Sequence, residues 1–165
     1  MLYTSAEAAK LLRRLNDDKE ILENMEAQSN TFTASLGEDV ESVRPDYNYY
    51  DVNAKIKELD QKIRHVKHMI NSFNVSTIVP EFNMTVDQIL IYIPQLTKLR
   101  TKLNSMQNRL PKQREGNYNN IIDYRYINYD IDAVKNDYAK VSDELARAQT
   151  ALDVLNNSVK FEIDI

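Results

Sequence analysis

The sequence predicts an all-α protein: an elongated antiparallel helical bundle or coiled coil of four long helices, in a single domain of residues 1–165. One or two short β-strands, at about 121–129 and 159–165, complete the expected fold. Three observations carry this. Four segments, at about 4–27, 51–73, 85–110 and 131–157, repeat apolar residues at spacings of three and four, the period of one helix face. Two of them open with a Thr-x-x-Glu or Thr-x-x-Gln capping box. Only two Gly and four Pro interrupt a chain that is 42% hydrophobic, so a core can form and breakers are few.

The first helix opens with Thr4 and Glu7, whose side chains satisfy N–H groups that the first turn leaves unpaired. Its stripe is Ala8, Leu11, Leu12, Leu15, Leu22 and Met25, interrupted by a polar run from 17 to 20. Residues 28–50 form a long connection with Gly37, Arg44-Pro45 and Tyr47, Tyr49 and Tyr50, expected to be mobile, functional or partly extended. The second helix is the strongest signal. Val52, Ile56, Leu59, Ile63, Val66, Ile70 and Phe73 alternate fours and threes without a miss, as a coiled-coil seam does.

The third helix opens with Thr85 and Gln88 and carries Ile89, Tyr92, Leu96, Leu99, Leu103, Met106 and Leu110. Pro94 lies inside it and removes the N–H that would bond the Leu90 carbonyl, which predicts a kink or a late helix start. The fourth, N-capped by Asp130 or Asp132, carries Val134, Tyr138, Val141, Leu145, Ala148, Leu152 and Leu155. Alternating residues at 122–129 and at 159–165 read as two strands, expected to pair with each other within the chain or across a subunit interface.

Composition removes whole classes of chemistry. Without Cys there is no disulfide scaffold, thiolate zinc site or cysteine nucleophile. Gly37 and Gly116 alone cannot build a glycine-rich phosphate loop. The only histidines, His65 and His68, share a helix face but flank the seam without a clear third ligand, and neither follows a Glu by three as di-metal bundles require. No nucleophile-elbow or triad pattern is present. The chain is therefore expected not to be an enzyme and to need no cofactor or metal. Met1-Leu2-Tyr3-Thr4 does not resemble the start of a signal peptide, and no run approaches the ~20 apolar residues of a membrane span. A cytoplasmic protein is expected, with neither DNA nor a membrane as partner.

Charge is uneven. Residues 98–125 hold seven Lys and Arg against Glu115 and Asp123, although the whole chain is −4. Within that basic stretch, Asn117-Tyr118-Asn119-Asn120 leads into Tyr124, Arg125, Tyr126 and Asn128. Tyr can stack on a base, the Arg fork can pair a phosphate and Asn can read a base edge, so these four are the candidate ligand-binding residues. Tyr and Arg equally dominate protein–protein contacts.

Several short motifs carry a resemblance: Ser5-Ala6-Glu7-Ala8 with Leu11-Leu12-Arg13, Leu36-Gly37-Glu38, Ile70-Asn71-Ser72-Phe73-Asn74, Leu96 with Leu99-Arg100, Tyr124-Arg125-Tyr126-Ile127, and Leu155-Asn156 before an extended tail. Together the chain resembles the septicolysin-like family of small bacterial helical proteins. That resemblance implies an all-helical, self-associating fold without assigned chemistry; the family name refers to a haemolysin and implies a membrane-active, cytolysin-like alternative. The expectation is thus a non-enzymatic, self-associating scaffold whose partner is itself, the alternative being a binder of a nucleotide-like anionic small molecule at subunit interfaces.

Overall fold

The computed structural model describes residues 1–116 and 122–165. The stretch Asn117-Tyr118-Asn119-Asn120 and the expected strand start at Ile121 lie outside the described residues. Four long helices dominate: α1 (Ser5–Ser29), α2 (Tyr49–Ser76), α3 (Val86–Gln107) and α4 (Ile131–Ser158). The described strands are β1 (Leu2–Thr4), β2 (Ile78–Val79), β3 (Met84–Thr85), β4 (Lys112–Arg114), β5 (Tyr124–Tyr126) and β6 (Lys160–Glu162). They form two-stranded antiparallel ribbons, β1 with β6, β2 with β3 and β4 with β5. The fold is all-α with short strands, as its apolar periodicity predicts. The two expected strands do not pair with each other, however. Each instead takes a three-residue partner, Leu2–Thr4 or Lys112–Arg114, too short for its alternation to stand out in the sequence.

The chain divides into two compact units, Met1–Ser76 with Asn156–Ile165, and Thr77–Leu155. In the first, Thr4 caps α1 from the end of β1. Its backbone N–H donates to the Glu7 carboxylate at 2.8 Å, and the Glu7 N–H donates to its hydroxyl at 3.2 Å. Donation to the carboxylate by the Thr4 backbone N–H foremost, and by the Thr4 hydroxyl at 3.1 Å, holds the Glu7 carboxyl below the usual carboxylate range. Helix α2 runs antiparallel to α1, since Lys19 meets Asp60 at 2.8 Å while the Tyr47 hydroxyl donates to Glu26 at 2.7 Å. Ala8, Leu15, Ile63, Val66 and Ile163 make the core. All seven seam residues of α2 are buried or half-buried. Met25 is not; it is exposed, because the inward position one turn after Leu22 is Glu26, the acceptor of the Tyr47 hydroxyl.

The β1–β6 ribbon closes this unit in the register Leu2↔Glu162, Tyr3↔Phe161, Thr4↔Lys160, and Ile163 N–H extends it to the Met1 carbonyl at 2.9 Å. Phe161 stacks on Phe73 with ring centroids 4.5 Å apart, and Ile163 is fully buried. The long connection after α1 is built from local contacts. Glu38 N–H bonds Ser35 C=O at 3.0 Å around Gly37, whose φ of +88° suits a residue without Cβ. Beyond a 3-10 turn (Val40–Val43), Arg44 pairs with Glu41 at 2.7 Å and lies over the Phe32 ring, and the Asn48 side chain accepts the Tyr50 N–H to start α2.

In the second unit the β2–β3 hairpin turns through Asn83, a non-glycine residue at φ +50°, and delivers Thr85 as the cap of α3. The helix starts at Val86 and continues through Pro94, so the proline does not delay it. Leu90 and Pro94 are both exposed, which leaves the carbonyl without its donor on the solvated side. Helix α3 ends at Gln107, short of Leu110: Asn108 Nδ2 turns back to the Asn104 carbonyl at 2.8 Å. Leu99 and Leu110, both expected inward, are exposed. Helix α4 opens where the Asp130 carboxylate accepts the Asp132 N–H at 2.9 Å. Its Val134, Val141, Leu145 and Ala148 share a core with Leu96 and Leu103. The pair is antiparallel: the Tyr92 hydroxyl donates to Glu144 at 2.5 Å while the Tyr129 hydroxyl donates to the Met106 carbonyl at 2.7 Å. The Glu144 bond, with burial, raises the Tyr92 pKa above its ordinary 10.0.

Candidate functional site

Between α3 and α4 the chain makes an excursion whose residues differ in kind from the rest. Pro111 cannot continue a helix, and the next three residues enter β4, paired to β5 as Lys112↔Tyr126, Gln113↔Arg125 and Arg114↔Tyr124. Two further backbone bonds lengthen the ladder, Ile127 N–H to Pro111 C=O at 3.3 Å and Glu115 N–H to Asp123 C=O at 2.9 Å. Half-buried Tyr129 anchors its base by donating its hydroxyl to the Met106 carbonyl at the α3 terminus, which also accepts the Arg109 N–H at 3.2 Å.

Alternation sorts the ribbon into two faces. Tyr124 and Tyr126 share one with Lys112, whose ammonium stands 4.1 Å from the first ring centroid and 5.5 Å from the second. Both rings are nonetheless open to solvent, 45% and 61% exposed. Arg125 points to the other face and its guanidinium pairs with the Glu115 carboxylate. At the base of the ribbon a groove of about 410 Å³ is lined by residues of both faces, Arg109, Gln113, Arg125, Tyr126, Asn128 and Tyr129 among them.

Of the four residues singled out in the sequence, Arg125, Tyr126 and Asn128 therefore meet in one groove. Tyr124 does not line it: it pairs with Arg114 at the end of the ribbon away from Tyr129, two residues beyond Tyr126. Sequence reasoning missed Lys112, Gln113 and Arg109. Lys112-Gln113-Arg114 has no apolar alternation, and the bounding Pro111 and Gly116 were its only signal. Among the described residues, no carboxylate lies within ion-pair distance of Lys98, Lys102 or Arg109.

Elsewhere the side chains offer little chemistry. His65 and His68 are both exposed, and no cluster of three or more His, Asp or Glu suited to a metal occurs among the described residues. Among those residues, no helix is long and apolar enough to cross a membrane.

No protein-family model and no curated protein matches the chain. Among solved structures it is similar to a functionally unknown conserved protein from Corynebacterium diphtheriae. The two align over 98% of this chain and 100% of that one with a TM-score of 0.63 and 17% identity, a likeness of fold.

Proposed function

We propose that this chain is a non-enzymatic interaction protein that associates with copies of itself and uses the β4–β5 ribbon as a contact surface. One observation carries the reading: all six paired residues of the ribbon are exposed, and they include two Tyr and three cations. A two-stranded ribbon open to water on both faces is marginally stable alone, and a covering surface supplies the missing burial. Tyr and Arg are also the residue types on which contact energies concentrate. Exposed Leu110 and Ile122 beside the strands add apolar area to the same surface. The test is light scattering at micromolar concentration. A particle heavier than the 19.2 kDa chain is expected, falling to 19.2 kDa when Tyr124→Ser and Tyr126→Ser are combined. A wild-type protein that stays at 19.2 kDa refutes self-association.

The groove favours a second reading, capture of a nucleotide-like anion between Arg109, Arg125 and Tyr126. Its volume suits a small ligand, but the Arg125 fork would have to leave Glu115 to grip a phosphate. Thermal shift against linear and cyclic nucleotides separates the readings. A ligand at 100 times its dissociation constant adds about 2.7 kcal/mol of stability, and a flat response removes this one.

A further inference from the structure

We infer that the β4–β5 ribbon of one copy docks on the outer face of α1 of a second copy, so that the contact joins two unlike surfaces. This rests on the self-association proposed above and names its two halves. Asp17, Asp18, Ile21 and Met25 follow one another at helical spacing on a face of α1 that the unit's own core does not use. Ile21 is 65% and Met25 45% exposed. Among the described residues, neither Asp17 nor Asp18 has a cation within ion-pair distance. The α1 face thus offers two apolar side chains beside two carboxylates. The ribbon offers the counterpart, two tyrosine rings around the Lys112 ammonium, within a stretch of seven basic and two acidic residues.

Charge decides between the possible pairings. Ribbon against ribbon brings Lys112 and Arg114 onto their own copies, and α1 against α1 brings Asp17 and Asp18 onto theirs. Like charges brought together in an interface cost several kcal/mol. Ribbon against α1 pairs opposite charges and lays Tyr rings on Ile21 and Met25. A contact between unlike surfaces leaves the pair of copies with one free half of each kind, so it builds rings or open chains and its strength falls with added salt.

Charge reversal tests this with two full-length variants, Lys112→Glu/Arg114→Glu and Asp17→Lys/Asp18→Lys, each checked for an unchanged helical spectrum and melting curve. Each alone is expected to weaken association by on the order of 100-fold and run at the mass of one chain. Mixed one to one they should recover a heavier particle, because each supplies the half that the other lost. Ile21→Ser, which changes no charge, should weaken association as well and guards against a misfolded reversal. If the wild type associates while both reversals associate equally well, this assignment falls and self-association stands. Variants that are single chains both alone and mixed also overturn it. A wild-type single chain removes both proposals.

Discussion

The β1–β6 and β4–β5 ribbons are built alike, three residues paired to three, and are used in opposite ways. β1–β6 sits against its unit's core: Phe161 stacks on Phe73, Thr4 is buried as a helix cap, and Ile163 just beyond is sealed from water. β4–β5 buries none of its paired residues and is held at its base by Tyr129. The difference teaches that strand pairing here is only a frame. What a ribbon does is set by the side chains carried into or out of its unit, apolar in one case and cationic with tyrosine in the other.

That contrast can be broken by substitution. Ile163→Ala should have the largest effect, a loss of about 2–5 kcal/mol in denaturant unfolding, because it empties a fully buried site. Thr4→Ala should cost about 1 kcal/mol through loss of the α1 cap. Tyr129→Phe should also cost about 1 kcal/mol, by removing the bond to Met106. Tyr124→Ser with Tyr126→Ser should change stability by no more than about 0.5 kcal/mol each while abolishing association. If that pair destabilises as much as Ile163→Ala, the ribbon belongs to a core and the contrast is wrong.

Acid titration sharpens it further. The cap beside β1 uses a carboxylate, Glu7, whereas the equivalent cap of α3 uses the amide of Gln88, which does not titrate. Glu7 has a lowered pKa in the folded chain, so its contribution is present above the unfolded value near 4.5 and is lost as pH falls through the folded one. Stability measured on descending through that window should drop in the wild type and less steeply in Glu7→Gln. Equal slopes in the two proteins would count against the capping assignment.

The helices were legible because core burial is written as spacing. The α2 seam is inward along its whole length, and both capping boxes form between the residues expected. The misses have local causes. Met25 and Leu99 continue an apolar count but not the buried face, since apolar type alone does not say which way a helix has rotated. The β2–β3 hairpin went unseen because two-residue strands carry no alternation, leaving only Pro80 and Asn83 as punctuation. At the candidate site the tyrosines and Arg125 stood out by type. Their separation onto two faces, the Glu115 pairing and the part taken by Arg109 depend on a partner strand whose own sequence is featureless.

One ribbon also sets the order in which the protein can be completed during synthesis. Residues 77–155 are contiguous and already contain both helices of their hydrophobic centre, so a nascent chain carries all that this half requires. The other half draws on residues 1–76 and 156–165, and Leu2 must wait for Glu162, 160 residues further along the chain, before its hydrogen bonds close. Until then the first two helices leave the ribosome with the seat of Ile163 unfilled, an interval in which grease is open to other chains and in which a helper that shields it would have its greatest effect.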